Sequence, residues 1–262
     1  MPQLLLLRHG QSEYNQDSRF CGWVDVSLTD KGKEQAKNSA ELIKTNKLTS
    51  DISLHLLVTS KLKRAIVTSN IILENLNRLD MDDIKTWRLN ERHYGKLQGL
   101  KKNDILKKYG NDKFMYWRRQ YNGCPPKCDD NDINSEFYKD TLKISHFDND
   151  LYNHPDLIPK GESLKMVIDR LRPFWQNTIL LNLKLGKNIL CVTHGSVVRA
   201  LLTILYNLSE SEVEHLNIPN GMPILVDFDD ETMNVKGTSW TYLEPEKAKV
   251  EAEVVKNDGQ SA

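Results

Sequence analysis

Short apolar runs and longer amphipathic stretches alternate along this 262-residue chain. The first apolar run, QLLLLR at residues 3–8, is continuous, which is typical of a strand covered on both faces of a parallel sheet. The next stretch, 30–46, carries Ala36 and Ile43 at helical spacing, and Thr29 precedes it as an N-cap residue. The chain is therefore predicted to begin with a buried strand and an amphipathic helix.

The same alternation continues to residue 242. The pattern predicts further strands at 54–58, 84–87, 189–193, 222–228 and 235–242. It predicts further helices at 62–76, 103–121, 162–183 and 197–206, with Pro173 as a kink or break inside the third of these. Because strands alternate with helices, we expect an α/β fold of three layers, α/β/α, with a mainly parallel central sheet.

Two segments lack this periodic pattern. Residues 122–160 are rich in Asn, Asp and Pro and predict one long loop. Residues 245–262 are polar and rich in Ala, Lys, Glu and Val, and predict a mobile tail. We therefore expect one catalytic domain over residues 1–244, which contains the loop, followed by the tail.

The composition excludes several classes of protein. The chain is 39% hydrophobic, and its 36 lysines and arginines balance 36 aspartates and glutamates, which is unlike a disordered or a globally nucleic-acid-binding protein. The apolar runs are shorter than the roughly 18 residues that a membrane helix needs. The leucines near the start stop at Arg8, too soon for the core of a signal peptide. Four cysteines are too few for a disulfide scaffold, so we expect a cytoplasmic protein with reduced thiols.

Charge is unevenly distributed despite the neutral total. Residues 85–128 contain twelve lysines and arginines against three acids, whereas residues 129–156 contain eight acids against two lysines. Two interpretations are open from these counts alone. The segments are either solvated faces that partly neutralise each other, or an anion-binding site beside an acidic loop.

Two predicted strands end in the same way, with a histidine followed by a glycine. Arg8, His9 and Gly10 follow the first strand, and His194 and Gly195 follow a later one. A histidine at such a position is either a nucleophile or an ordinary hydrogen-bonding residue, and the planar fork of an arginine suits phosphate oxygens. If the two strands are neighbours, both histidines and Arg8 converge on one small anionic group.

Two further residues complete a candidate phosphoryl-transfer site. Arg64 lies between a predicted strand and helix, and is either a third cation for the same anion or part of a surface ion pair. Glu91 is one of the few acids in the basic segment and is the candidate general acid. Its neighbours Arg88 and Arg92 are expected to hold down its pKa unless the carboxyl is also desolvated.

A metal site is not predicted. Cys124 and Cys128, with His146 and His154 further along the chain, suggest zinc at first sight. The two histidines are too far apart in sequence for the zinc-finger pattern. The phosphoryl-transfer site described above needs no metal ligand either.

The order of motifs resembles the cofactor-dependent phosphoglycerate mutases, a branch of the histidine phosphatase superfamily. The matching motifs are LRHGQS at 7–12, Asn15, FCGWVD at 20–25, TSKLKRA at 59–65, WRLNERHYGKLQG at 87–99, WRRQY at 117–121, ESL at 162–164 and THG at 193–195. RHG marks only the superfamily, whereas RLNERHYGKLQG and the paired arginines after it are specific to the mutase branch. The resemblance therefore favours a phosphate-binding site in the basic segment.

The resemblance also implies an activity, the interconversion of 3- and 2-phosphoglycerate in glycolysis and gluconeogenesis, with 2,3-bisphosphoglycerate as the priming phosphate donor. It implies that His9 carries the phosphoryl group, that Arg8, Arg64 and His194 surround its oxygens, and that Glu91 moves protons. The implied substrate-binding residues are Ser12, Asn15, Cys21, Gly22, Tyr94, Lys102, Arg118, Arg119, Gly195 and Ser196. It further implies a homo-oligomer, a dimer or tetramer, with no nucleic-acid or membrane partner.

Such a reaction sets requirements for the two histidines. His9 must attack through a neutral nitrogen, so its other nitrogen needs an acceptor such as a backbone carbonyl. His194 is expected to be a cation or a donor that stabilises charge on the transferring group.

The chain departs from the mutase pattern close to the site. Cys21 stands where mutases have Ser or Thr, Ser196 where they have Asn and Thr193 where they have Ala, and the segment 127–160 is longer and more acidic. None of these changes removes a phosphoryl-transfer residue. Two alternatives stay open: a phosphatase of the same superfamily, in which water receives the phosphoryl group, and a diverged paralogue of low activity with a binding or regulatory role.

Overall fold

The computed structural model describes residues 2–129 and 136–259. The strands are β1 Gln3–Arg8, β2 Leu54–Thr59, β3 Asp83–Lys85, β4 Asn188–Thr193, β5 Ile224–Asp227 and β6 Thr241–Tyr242. The α-helices are α1 Glu13–Gln16, α2 Asp30–Thr45, α3 Lys63–Asn75, α4 Lys102–Arg118, α5 Glu136–Phe147, α6 Asn149–Asn153, α7 Leu164–Phe174, α8 Leu180–Lys184, α9 Gly195–Tyr206, α10 Glu210–His215 and α11 Pro245–Asn257. No described helix is long and apolar enough to cross a membrane.

The strands form one mixed sheet in the order β3-β2-β4-β1-β5-β6. The first four strands in this order are parallel, whereas β5 is antiparallel to β1 and β6 is antiparallel to β5. The prediction of a mainly parallel sheet is therefore confirmed. Because β2, β4 and β1 are adjacent and parallel, the residues that follow them meet at one edge of the sheet.

Helices cover both faces of this sheet, which confirms the three layers. Leu4 and Leu6 of β1 pack in one apolar cluster with residues of α7 and α9. Leu5 and Leu7 point to the opposite face and pack with residues of α2 and α3. The continuous apolar run in β1 thus follows from burial on both faces, as expected for a central parallel strand.

The long helix predicted at 162–183 consists of three pieces. The segment α7 contains Pro173, and a π-helical turn, Trp175–Ile179, separates it from α8. Proline has no N–H to donate, so a regular helix cannot continue unchanged through it. The helical run continues through Pro173 without a break, and its departure from a regular α-helix is the π turn that follows.

The segment predicted as a loop at 122–160 contains regular structure. Its described part includes α5, α6 and a 3₁₀ turn at Pro155–Leu157, whereas residues 130–135 lie outside the described residues. Asp148 caps α6 by accepting from the N–H groups of Asp150 and Leu151. The polar composition predicted a loop, but some of these acids begin a helix instead, and that part of the prediction is wrong.

The segment predicted as a mobile tail also differs from the expectation. Residues from Pro245 form the helix α11, and Pro245 lies at its first position, where a missing N–H costs nothing. Ala248 is buried, so the helix has an apolar contact with the domain. The tail is therefore helical, while its mobility and the division at residue 244 stay predictions.

Candidate active site

His9 lies at the carboxyl end of β1, in a backbone held from several sides. Its N–H donates to the Thr193 carbonyl at 2.9 Å, and Asn220 Nδ2 donates to the His9 carbonyl at 2.8 Å. A Cβ on Gly10 would lie 2.1 Å from the carbonyl oxygen of Gly32. Glycine at position 10 therefore allows the turn to pass against the start of α2.

The His9 ring is arranged as a neutral nucleophile requires. Nδ1 lies 2.6 Å from the Gly10 carbonyl oxygen, which is an acceptor only, so Nδ1 carries the proton. Nε2 is then unprotonated and accepts from Arg64 Nε at 3.2 Å. Burial, and then the charges of Arg64 and Arg8, lower the pKa of His9 well below its usual value. The backbone acceptor predicted for this histidine is present.

Arg64 extends from the first turn of α3 into the interior. It is 1% exposed, so the alternative of a surface ion pair does not apply. Its Nη1 donates to the Val24 carbonyl at 2.9 Å and its Nη2 donates to the Gly22 carbonyl at 2.7 Å. Gly22 has φ of +56°, a conformation that favours glycine, and this presents its carbonyl to Arg64.

His194 follows β4 and its ring lies beside that of His9, with 5.0 Å between the ring centroids. Its Nε2 contacts Ser60 Oγ at 2.8 Å, while the buried Nδ1 has no hydrogen-bond partner among the described residues. Burial, and then the charge of Arg64, lower the pKa of His194 well below its usual value. Burial and the neighbouring charges all disfavour the imidazolium form, which speaks against the cation among the two expected roles. The alternative role, a neutral donor, is compatible with this geometry.

Arg8 supplies a second buried donor without a partner. Its Nη1 donates to the Ile218 carbonyl at 2.7 Å, but its Nε has no partner in the described part of the chain. Buried polar groups are normally paired, so unpaired donors beside a cavity indicate a missing acceptor. The amino end of α9 begins at Gly195 next to them, and the dipole of a helix favours an anion at this end. We call Arg8, His9, Arg64 and His194 the phosphoryl pocket, since this arrangement fits a small oxyanion.

Glu91 is placed beside this pocket by backbone groups. Its Oε1 accepts from the N–H of Arg92 at 2.8 Å and from the N–H of Ser196 at 3.2 Å. The guanidinium groups of its neighbours Arg88 and Arg92 bind partners other than the Glu91 carboxylate. Arg88 pairs with Asp150. The guanidinium of Arg92 donates to the carbonyls of Gly123, Trp117 and Arg118.

Three predicted substrate-binding cations lie together outside the pocket, and we call Lys102, Arg118 and Arg119 the outer cation ring. They line the same cavity as Arg8 and Glu91. Each of the three also contacts the C-terminal helix or the residue after it. Lys102 pairs with Asp258, Arg118 donates to the carbonyl of Val255 at 2.7 Å, and Arg119 donates to the same carbonyl at 3.3 Å.

The remaining predicted residues divide between the cavity wall and its surroundings. Tyr94, Gly195 and Ser196 line the cavity. Ser12 caps α1, and its Oγ accepts from the Asn15 N–H at 3.3 Å, so this short helix presents both residues near His9. Cys21 Sγ contacts the Val24 carbonyl oxygen at 3.7 Å, and burial raises the pKa of its thiol.

The sequence profile of the histidine phosphatase superfamily (branch 1) matches residues 4–140 and 130–241. The chain belongs to this superfamily. Among relatives of known name, phosphoglycerate mutase 1 of Saccharomyces cerevisiae is 42% identical over 99% of this chain and 100% of its own length. The 2,3-bisphosphoglycerate-dependent phosphoglycerate mutase of Corynebacterium kroppenstedtii is 42% identical over 98% of both chains.

Solved structures of other proteins share the histidine phosphatase fold at lower sequence identity. A mycobacterial glucosyl-3-phosphoglycerate phosphatase has a TM-score of 0.65 at 22% identity, covering 92% of this chain and 97% of that chain. Bacillus stearothermophilus YhfR has a TM-score of 0.65 at 20% identity, covering 93% of this chain and 100% of that chain. These likenesses concern the fold.

Sequence reasoning missed several residues that hold this histidine phosphatase site together. Arg170 pairs with Glu162 at 2.6 Å and donates to the carbonyls of Asn90 and Glu91 at 2.8 and 3.1 Å, which fixes the segment that carries Glu91. Glu162 could have been identified from the sequence, because it belongs to the ESL motif at 162–164. Asn220 could not have been identified in this way, because it belongs to none of the motifs recognised in the sequence.

The cysteines that suggested zinc at first sight do not gather with other metal ligands in the described residues. In residues 2–129 and 136–259, no three His, Cys, Asp or Glu side chains are grouped so that they could hold an ion. Cys124 Sγ contacts the Gly161 carbonyl oxygen at 3.7 Å, and Cys128 is buried.

Proposed function

We propose that this chain is a 2,3-bisphosphoglycerate-dependent phosphoglycerate mutase that works through a phosphohistidine at His9. One observation carries the proposal. His9 Nε2 is unprotonated and buried, and next to it lie two buried donors, Arg8 Nε and His194 Nδ1, which have no partner among the described residues. A nucleophile beside unpaired donors is the arrangement that phosphoryl transfer requires.

Transfer to a sugar acid, rather than to water, is supported by the rest of the cavity. The relatives named as mutases are similar over the full length of the chain. The outer cation ring provides charges beyond those that one phosphoryl group needs, which suits a substrate with anionic groups at both ends. The C-terminal helix covers this ring, and a covered site restricts the access of water.

In the proposed reaction, His9 Nε2 attacks the phosphorus of a phosphate ester, the N–P bond forms and the P–O bond of the ester breaks. Glu91 as the acid donates a proton to the leaving oxygen, and as the base it takes a proton from the hydroxyl that next attacks the phosphohistidine. Arg8, Arg64 and His194 hold the equatorial oxygens in both directions. The two half-reactions return His9 to its starting state.

The residues present fit the implied cofactor. When bound, 2,3-bisphosphoglycerate supplies the phosphoryl group that primes His9. Its two phosphates and carboxylate require more than one set of donors. Arg8 Nε and His194 Nδ1 are available to one phosphate, and Lys102 and Arg118 lie across the same cavity for the other anionic groups.

The test begins with labelled 2,3-bisphosphoglycerate. We expect an acid-labile, base-stable label on His9, and production of phosphoenolpyruvate when the enzyme is coupled to enolase. His9→Ala should abolish both signals, whereas His215→Ala, which changes an exposed histidine of α10, should preserve them. Activity in the unmodified protein no greater than in His9→Ala would contradict the proposal.

The two alternatives give different results in the same assay. A phosphatase acquires the label on His9 but releases inorganic phosphate faster than it forms 2-phosphoglycerate. A low-activity paralogue acquires the label slowly, and Cys21→Ser combined with Ser196→Asn should then raise kcat/KM. A cytoplasmic location and a homo-oligomeric state, with no nucleic-acid or membrane partner, also stay predictions.

A further inference from the structure

Ser60 is a buried serine with no role in the steps above, and it touches His194. Its Oγ lies 2.8 Å from His194 Nε2, and both residues are fully buried. The sheet sets this contact, because Ser60 follows β2, His194 follows β4, and the two strands pair in parallel up to Thr59 opposite Val192. Ser60 therefore reaches His194 at the sheet edge where the phosphoryl pocket lies.

The surroundings of Ser60 determine the direction of this hydrogen bond. The Leu62 N–H donates to Ser60 Oγ at 3.2 Å, and among the described residues the acceptor within reach of the Ser60 hydroxyl hydrogen is His194 Nε2. His194 is neutral in the buried pocket and therefore has one acceptor nitrogen. We propose that Ser60 Oγ–H donates to His194 Nε2 and so places the single ring proton on Nδ1.

This tautomer decides whether His194 attracts or repels a bound phosphoryl group. With the proton on Nδ1, the nitrogen that lacks a partner among the described residues becomes a donor, as Arg8 Nε is. With the proton on Nε2, Nδ1 would present a lone pair to an anion. Ser60 is thus a positioning residue, since it acts on the transferring group through His194. The inference rests on the proposed function, because its benefit requires an oxyanion in the pocket.

The tautomer can be measured in the unmodified protein. ¹⁵N NMR of histidine-labelled protein saturated with inorganic phosphate reports the protonation of each ring nitrogen, and His194→Gln identifies the relevant signals. We expect a protonated Nδ1 and an unprotonated Nε2. The opposite tautomer, or an imidazolium, would overturn the inference. This result does not depend on mutase activity, so a protein without phosphoenzyme would contradict the proposed function alone.

Variants test the consequence for rate. Ser60→Ala should lose the Nδ1–H preference and slow the labelling of His9 by about 10–100-fold, the usual cost of removing the group that orients a functional histidine. Ser60→Thr keeps a hydroxyl and should restore most of the tautomer preference and the rate. Ser69→Ala is the matched control, because in the described structure that buried hydroxyl bonds to the Ala65 and Ile66 carbonyls within α3 and to no other group.

Two outcomes of these variants would overturn the inference. One is Ser60→Ala with the tautomer and labelling rate of the unmodified protein. The other is Ser60→Thr that labels as slowly as Ser60→Ala although its His194 has the Nδ1–H tautomer. If Ser60→Ala does not fold, the tautomer in the unmodified protein decides the matter.

Discussion

The phosphoryl pocket and the outer cation ring differ in what their charged groups touch. In the pocket, strand ends and backbone carbonyls hold the side chains, and two donors are left without partners among the described residues. In the outer ring, Lys102 and Arg118 already contact a carboxylate and carbonyls of the C-terminal segment. The pocket is therefore ready for an anion, whereas the ring must exchange an internal partner for a substrate.

This difference has a physical basis in the neighbouring elements. Most residues of the phosphoryl pocket lie at the ends of adjacent parallel strands, whose positions are set by the central sheet. The cations of the outer ring lie at the two ends of α4, and their partners belong to α11 and the residue after it, a segment with few buried residues. Rigid elements hold donors in place before binding, and a terminal helix can open and close around a ligand. We expect changes in the pocket to alter the chemical step and changes in the ring to alter binding and access of water.

The largest effect is expected for Glu91→Gln, at the border of the two regions. The amide keeps the size of the side chain and its contacts with backbone N–H groups but cannot exchange a proton, so kcat should fall by roughly 10²–10⁴-fold. Binding of phosphoglycerate, measured by calorimetry, should change little because the cations remain. Turnover at the original rate would contradict the acid–base role and direct attention to Tyr94 or His194.

Acid should destabilise the protein through its buried histidines. Burial, and then the charge of Arg170, lower the pKa of His93 to about 3, so the folded state leaves it neutral while the unfolded chain takes up a proton below about pH 6.5. The contribution of neutral His93 to the free energy of unfolding is therefore fully present above that pH and is lost as the pH falls toward 3. At pH 5 the loss from His93 alone should be about 2 kcal/mol. The lowered pKa values of His9 and His194 act in the same direction.

Urea unfolding at pH 7 and pH 5 measures this effect. His93→Gln should reduce the difference in unfolding free energy between the two pH values, whatever its effect on stability at pH 7. His215→Gln, at an exposed position, is the control. The same pH difference in His93→Gln as in the unmodified protein would show that His93 is not the source.

Removal of α11 should change how the phosphoryl group is partitioned. A chain ending at Glu244 lacks the carbonyls that contact Arg118 and Arg119, and it leaves the cavity open to water. We expect the ratio of 2-phosphoglycerate formation to phosphate release to fall by about tenfold. A chain ending at Gly259 retains the helix and serves as the control. An unchanged ratio would leave the helix without a role in excluding water.

The smallest effect is expected for Asp258→Asn, which removes the carboxylate that competes for the outer cation ring. Burial alone would raise the pKa of Asp258, but the Lys102 ammonium lowers it, so the group is charged. Loss of a partly exposed ion pair costs up to about 1 kcal/mol, so KM for phosphoglycerate should fall by up to about fivefold. Glu253→Gln removes a carboxylate from the exposed face of α11, the helix that precedes Asp258, and is the control. A higher KM in Asp258→Asn would show that Asp258 aids substrate binding.

The fold and the phosphoryl pocket were largely predictable from the sequence, because both depend on local patterns. The four consecutive leucines of β1 predicted a strand buried on both faces, and the histidine–glycine pairs predicted strand ends that meet. The protonation of His194 was less accessible. It depends on complete burial and on four nearby basic residues, Arg64, His9, Arg8 and Arg170, which come from separate segments of the chain.

The structure of the C-terminal segment could not be predicted from its composition. Its Ala, Lys, Glu and Val composition is compatible with a free coil or with a helix, and only the contacts of Asp258 and Val255 with α4 decide between them. The acidic segment before α7 was misjudged for a similar reason, since Asp148 caps a helix that composition alone does not reveal. Tertiary contacts overrode composition in both cases.

The central position of β1 has a consequence for the order in which the protein is made. This strand is synthesised well before its neighbours in the sheet, β4 and β5, and its Leu4 pairs with Ile189 and Val226. Contacts between residues so far apart in sequence form slowly, because a long loop must close before they bring any stabilisation. His9 and His194 are therefore brought together only after β4 has been synthesised. A nascent chain that ends before β4 has no phosphoryl pocket, so an oxyanion that binds there stabilises the completed sheet and not its precursors.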